Sequence, residues 1–286
     1  MRSEKEMKRL ILKKAQSEEH IRAVLLNGSR VNSNIKPDKY QDFDVVYIVK
    51  DIDFFTSNHC WVDYFGPRLI WQLPDDMNLG NEARMNSGKF TYLMQFTGGN
   101  RIDLTLISID KLRKDFKWDS LTHVWLDKDG LFENVPEAND SDYIIKKPTA
   151  LEFKETCNEF WWVCTYVGKG LARNEIIYAR DMLDTVVRPM FIKMIEWQIG
   201  TATNFSVSAG RGGKFIKNYV SESAYKRILK TYSDAQISNT WNALELMMEL
   251  FGDFAKSVTN ALKYTYNISE ELHVKQYLAE VKIDNN

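Results

Sequence analysis

The chain changes character at Lys146-Lys147-Pro148, and no single layer of structure suits both sides of that point. Before it, short apolar runs alternate with polar turns. After it, apolar residues recur at helical spacing almost to the end. The period is decisive, because side chains repeat every second residue along a strand and about every 3.6 residues around a helix. Residues 42–49 read as a strand, with Asp42, Asp44, Val46 and Ile48 on one face and Phe43, Val45 and Tyr47 on the other. Segments 90–96 and 101–107 flank Gly98-Gly99-Asn100 as a hairpin, and 68–73 is a further strand. Leu25-Leu26-Asn27 closes an apolar stretch that breaks at Gly28-Ser29, while the polar segment 75–88 reads as a loop. At the other side of the divide, Thr149-Ala150-Leu151-Glu152 is a capping box, and helices follow to about Lys282 with breaks expected at 200–204, 208–213 and 233–238. The expectation is an α+β chain: a mixed-sheet domain over 1–145 and a helical bundle domain over 146–286. The length of 286 residues agrees, at about 150 residues per domain.

Composition narrows the class. With 44% hydrophobic and 13% aromatic residues, the chain has ample material for two cores, which excludes a disordered or disulfide-scaffold protein. Lys and Arg number 38 against 39 Asp and Glu, a balance that argues against a nucleic-acid or anionic-membrane coat. Apolar runs such as 45–49 fall far short of the ~20 residues that span a bilayer. The charged residues of 2–9 precede no apolar core of a signal peptide; Met7, Leu10, Ile11 and Ala15 instead fall at helical spacing, and a cytoplasmic location is expected. Cys157 and Cys164 stand seven apart in an expected helix, about 10 Å along its axis and too far to bridge, with Cys60 left odd. Reduced thiols follow.

The chemistry concentrates in three places. Gly28-Ser29 is followed after twelve residues by Asp42-Phe43-Asp44, and much later by Ile102-Asp103-Leu104. Two Asp at alternate strand positions project to one face, and a third on another strand can join them. Such carboxylates hold hard divalent cations about 3.5–4 Å apart, the geometry of two-metal phosphoryl chemistry. Asp42, Asp44 and Asp103 are therefore the candidate catalytic and metal-binding residues. Gly28 and Ser29, at a turn after a strand, let backbone amides approach phosphate. An Asp-x-Asp pair also suits a solvated strand face, but Phe43, Val45, Ile102 and Leu104 around these acids argue for burial.

The arrangement resembles the nucleotidyltransferase superfamily of DNA polymerase β. More specifically, Asn27-Gly28-Ser29-Arg30, Gln41-Asp42-Phe43-Asp44, Ile102 to Ile107, Lys147-Pro148-Thr149-Ala150, Cys157 to Trp161 and Lys169 to Glu175 resemble the bacterial aminoglycoside 6-adenylyltransferases, over nearly the whole chain. The resemblance implies a polymerase β-like catalytic domain, ATP as co-substrate, Mg²⁺, and transfer of AMP to a hydroxyl of streptomycin with release of pyrophosphate. It places Gly28, Ser29 and Arg30 at the nucleotide and makes Asp103 the expected base, with Glu159 the runner-up. The chain departs from the family pattern at Asn78 to Glu82 and at Gly210 to Phe215, segments that bear on the acceptor more than on the reaction. Alternatives are another small-molecule or protein hydroxyl as acceptor, and a nucleotide- or antibiotic-binding relative without turnover.

On the helix after Thr149, Glu159, Trp162, Tyr166, Lys169 and Arg173 are spaced to share one face. Lys169 and Arg173 are expected to hold the triphosphate, and Glu159, Trp162, Tyr166 and Asp181 to meet a cationic sugar. The same pattern also describes a solvated face, and Gly168 and Gly170 are expected to interrupt the helix. Gly210-Arg211-Gly212-Gly213-Lys214 lacks phosphate-loop spacing and reads as a helix-start loop whose Lys214 touches phosphate, as the resemblance implies. The four His are scattered without metal-ligand spacing.

Overall fold

Ser3 starts the first helix by a reciprocal cap. Its hydroxyl accepts from the Glu6 amide, and its own amide donates to the Glu6 carboxylate at 2.7 Å. This helix, α1 (Glu4–Ser17), buries Met7, Ile11 and Ala15. The chain continues through β1 (Ile21–Asn27), β2 (Phe43–Val49), the single turn α2 (Asp53–Thr56), β3 (Arg68–Gln72), β4 (Lys89–Phe96), β5 (Arg101–Ser108), α3 (Ile109–Asp115) and β6 (Thr122–Asp127). This computed structural model describes residues 1–77 and 88–283; the departure at Asn78 to Glu82 and most of the loop expected over 75–88 lie outside them.

Among the described residues the strands form one mixed sheet in the order β3-β4-β5-β2-β1-β6, and β2–β5 is its parallel pair. The alternation read from 42–49 decides the two faces of β2. Phe43, Val45, Tyr47 and Val49 pack with Met7, Ile11 and Ala15 of α1, and the Tyr47 hydroxyl donates to the Ile11 carbonyl at 2.8 Å. Burying each large side chain of this kind contributes about 1.5–3 kcal/mol. On the opposite face a smaller core of Ala23, Leu25, Val46, Ile48 and Ile107 is packed by Ile109 and Leu112 of α3. That core stops short of the strand ends where the acids lie.

Contacts divide the chain into two compact units, Met1–Asp142 and Tyr143–Asn286. The second is helical: α4 (Ala150–Ala172), α5 (Ile176–Met182), α6 (Arg188–Ala202), α7 (Glu222–Leu229), α8 (Ile237–Leu262) and α9 (Ile268–Ile283). The capping box starts α4, with the Glu152 amide 3.1 Å from the Thr149 hydroxyl and the Thr149 amide 2.7 Å from the Glu152 carboxylate. A π-helical turn, Leu183–Val187, joins α5 to α6. Pro189 explains it: proline offers no N–H to the carbonyl one turn back, and the Arg188 amide reaches Leu183 instead. Glu271 is buried yet fully answered, accepting from Lys275 Nζ at 2.6 Å, the Tyr266 hydroxyl at 3.0 Å and Lys256 Nζ at 3.2 Å.

Two details correct the sequence expectations. Gly168 and Gly170 do not interrupt α4, which runs through both. They are where neighbours come close: a Cβ on Gly168 would overlap Leu278 Cδ2 and stand 3.1 Å from Trp241, and one on Gly170 would stand 3.1 Å from the Ala179 Cβ. The breaks before α7 and between α8 and α9 have no counterpart among those expected; a Ser221 cap and a left-handed Lys263 (φ 60°) make them. Cys157 and Cys164 are buried free thiols in α4, and burial pushes Cys157 up to about 12. No helix of the described residues is long and apolar enough to cross a membrane.

Gly168→Ala tests the close packing. Helix propensity alone favours Ala by about 1 kcal/mol, whereas overpacking a tight contact costs about 1–3 kcal/mol. We expect a net loss, read as a lower Tm by calorimetry; a raised Tm would show that α4 and α9 are not in this contact.

Candidate active site

The site is built at one corner of the sheet in the first unit. β1 ends at Asn27, and the chain turns at Gly28, whose φ of 77° suits glycine. Glycine is required twice over, because a Cβ there would overlap Asp44 Oδ2 and lie 3.1 Å from its Cγ. The turn is then held from two sides. Gly28 donates its amide to Leu121 at 3.0 Å, and Gln41 Nε2 donates to the Ser29 carbonyl at 3.1 Å. Arg30 turns inward: its guanidinium donates to the carbonyls of Asp42 (2.9 Å) and Gln41 (2.7 Å) and to Glu4 (3.3 Å), and it lies 3.7 Å from the Phe43 ring centroid. These bonds clamp the loop entering β2 and so fix the direction of Asp42 and Asp44.

Register brings the acids together. Asp44 pairs with Asn27 on β1 and with Asp103 on β5, and Asn27 pairs with Thr122 on β6. Paired residues share a face, so Thr122, Asn27, Asp44 and Asp103 form a polar row across four strands. The row is poorly satisfied. Asn27 Oδ1 and Thr122 Oγ1 are buried with no hydrogen-bond partner. Burial, then the charges of Asp103 and Asp42, push the Asp44 carboxyl up to about 6. Burial also raises Asp42, opposed by Arg101 and reinforced by Asp103.

Arg101 answers part of this charge. Its Nε and Nη2 donate to the two oxygens of Asp103 at 2.7 and 2.8 Å, and Nε lies 3.6 Å from Asp42. Among the described residues, no group of three or more His, Cys, Asp or Glu is arranged to hold a metal. The donor set itself, hard carboxylate oxygens with more negative charge than one guanidinium can offset, has the chemistry of a divalent-cation site.

In the second unit, Glu159, Trp162 and Lys169 are exposed on α4, with Tyr166 half-buried among them and Arg173 exposed at the helix end. The Trp162 indole donates to the Tyr166 hydroxyl at 2.8 Å, and Lys169 Nζ lies 5.9 Å from the Tyr166 ring centroid. Within the expected stripe, Trp162, Tyr166 and Lys169 are thus in contact. Asp181 is exposed on α5, one turn before an Asp184 paired with both Arg180 and Arg188 at 2.9 Å. Lys214 is exposed after the turn Arg211–Gly213, with no strand before it. Sequence reasoning missed Arg101, Asn27 and Thr122 as parts of the corner. For Arg101 the signal was present, since residues 101 and 103 alternate onto one strand face.

Comparisons with known proteins agree along the chain. The family profile described as streptomycin adenylyltransferase matches residues 1–281. An aminoglycoside 6-adenylyltransferase of Campylobacter jejuni is 42% identical over 271 residues, 95% of this chain and 93% of that protein. One of Bacillus subtilis (strain 168) is 43% identical over 267 residues, 93% of each. A crystal structure of an aminoglycoside 6-adenyltransferase from Bacillus subtilis covers 99% of both chains at 36% identity, with a TM-score of 0.48. The sequence matches define a nucleotidyltransferase. The chain belongs to the streptomycin (aminoglycoside 6-) adenylyltransferase family.

The raised Asp44 carboxyl has a measurable consequence. Its folded pKa of about 6 lies above the ordinary 3.8, so the folded protein binds the extra proton between those values. The stabilisation is greatest below about pH 4 and is lost as pH rises through about 6, by up to about 3 kcal/mol. In EDTA, the stability of wild type relative to Asp44→Asn should fall over that window by denaturant titration; a flat difference would mean Asp44 is not held in this environment.

Proposed function

We propose that the protein transfers AMP from ATP to an aminoglycoside hydroxyl, with the 6-hydroxyl of streptomycin as acceptor and pyrophosphate as leaving group. The observation that carries the reaction is the register of Asp44 against Asp103 across parallel strands, with Asp42 two residues before Asp44. The acceptor rests on the aminoglycoside activity of the relatives. ATP supply puts the reaction in the cytoplasm.

In this reading Asp42 and Asp44 would hold Mg²⁺, which would supply neutralisation of triphosphate charge and a lowered pKa of the acceptor hydroxyl. The turn at Gly28 lets the Ser29 amide and hydroxyl meet phosphate oxygens, and the cations of Lys169, Arg173 and Lys214 pair with the triphosphate. Asp103 takes the hydroxyl proton on a carboxylate oxygen. The hydroxyl oxygen then bonds to the α-phosphorus as the bond to the bridging oxygen breaks, and that oxygen leaves with its electron pair on pyrophosphate. Glu159 and Asp181 offer negative charge, and Trp162 and Tyr166 offer aromatic faces, to the guanidinium groups of streptomycin. Positioning and charge neutralisation account for most of the rate.

Mass spectrometry of streptomycin incubated with the protein, ATP and Mg²⁺ tests the whole reading: the expected product is heavier by one AMP. Pyrophosphate release with other acceptors alone would discard streptomycin and keep the chemistry. Asp42→Asn and Asp44→Asn should lower kcat about a thousandfold or more with circular dichroism unchanged. Asp103→Asn should lower kcat with little change in nucleotide Kd; if Glu159→Gln does so instead, the base lies on α4.

A further inference from the structure

Arg101 stands where the proposed chemistry needs free carboxylate oxygens. Its planar fork satisfies both oxygens of Asp103, and its Nε reaches toward Asp42 at 3.6 Å. While that fork is closed, one lone pair on each Asp103 oxygen is taken and the adjacent guanidinium charge opposes an arriving cation. The pair is not locked in a core: the side chains of Arg101, Asp42 and Asp103 are 40%, 37% and 20% exposed. Arg30, the other guanidinium near these acids, is committed to backbone carbonyls and Glu4, and its side chain is only 8% exposed. Arg101 is thus the more exposed positive charge of the corner. Away from the acids it borders a cleft with Trp71, Leu93 and Gln95, which gives the released side chain an apolar and aromatic wall to lie against.

We propose that Arg101 is a resident counter-cation of the acidic corner, holding Asp103 and Asp42 together until a divalent cation displaces its guanidinium. The inference rests on the metal-dependent reading above and adds a residue that governs it. The driving force is charge: one guanidinium brings a single positive charge to three carboxylates, a divalent cation brings two, and the exchange leaves fewer like charges facing one another. Arg101 keeps the corner from repelling itself when no metal is bound, and in return lowers metal affinity. As a positioning residue it acts through Asp103, and its removal should separate metal binding from turnover.

Titration with Mn²⁺ alone, followed by the loss of the free-ion electron paramagnetic resonance signal in the absence of nucleotide, reads this directly. The proteins compared are wild type, Arg101→Gln, Arg101→Lys and Asp44→Asn. Losing a charge-assisted pair of bonds should tighten Mn²⁺ binding of Arg101→Gln by about tenfold. Arg101→Lys keeps the charge without the fork, and should fall between wild type and Arg101→Gln; it carries the comparison if the Gln variant folds poorly. Arg101→Gln should also lose Tm in EDTA and regain it on adding Mn²⁺. If both Arg101 variants bind Mn²⁺ as wild type does, or more weakly, while Asp44→Asn binds less, the counter-cation role is overturned and the metal site stands. If wild type and Asp44→Asn bind Mn²⁺ equally, the metal site fails and the inference with it.

Discussion

The parallel pairing of β2 with β5 is the constraint on which the corner depends. It sets Asp44 beside Asp103 on strands that run only ~4.8 Å apart, and it does so where burial already disfavours charge. Like charges at that spacing are unfavourable, so the surrounding elements act to hold them there. Gly28 yields the space that Asp44 fills, Arg30 clamps the loop that delivers Asp42, and Arg101 offsets part of the negative charge. The two apolar cores on either face of the sheet supply the stability that lets such a corner persist.

The second unit solves a different problem. Its helix α4 has to bury one side among α5, α8 and α9 while presenting a polar stripe on another. Two glycines let neighbouring side chains approach its backbone, and Glu159, Trp162, Lys169 and Arg173 of the stripe remain exposed. A buried acid, Glu271, is tolerated because two lysines and a tyrosine satisfy it together. The π-helical turn before α6 has a local origin in Pro189, and it sits beside the Arg180, Asp184 and Arg188 ion pairs.

Much of this was legible in the residues. Alternation in 42–49 separated the two faces of β2, one of which packs on α1, and the capping box at Thr149 marked the start of α4. The three Asp were visible by their spacing from Gly28-Ser29, and the α4 stripe by its helical interval. Gly168 and Gly170 were misread, since a glycine that breaks a helix and one that admits a neighbour look alike until the neighbour is known. Arg101 was passed over although it alternates onto the face of Asp103, because that interval is common on strands; only its reach to Asp103 and Asp42 reveals its place.

By itself, then, the sequence determined what is periodic or adjacent: strands and helices, their buried faces, the turn at Gly28, and the family to which its motifs belong. Tertiary structure alone decided that β2 pairs with β5 and β1 with β2 and β6, and in what register, and therefore that Asn27, Asp44, Asp103 and Thr122 share one row. It also decided which cation lies against those acids and how far burial raises Asp44. The physical reason is range. Periodicity and capping are settled among residues a few positions apart, whereas charge pairing and desolvation depend on groups that meet only after residues 27, 44, 103 and 122 are brought side by side.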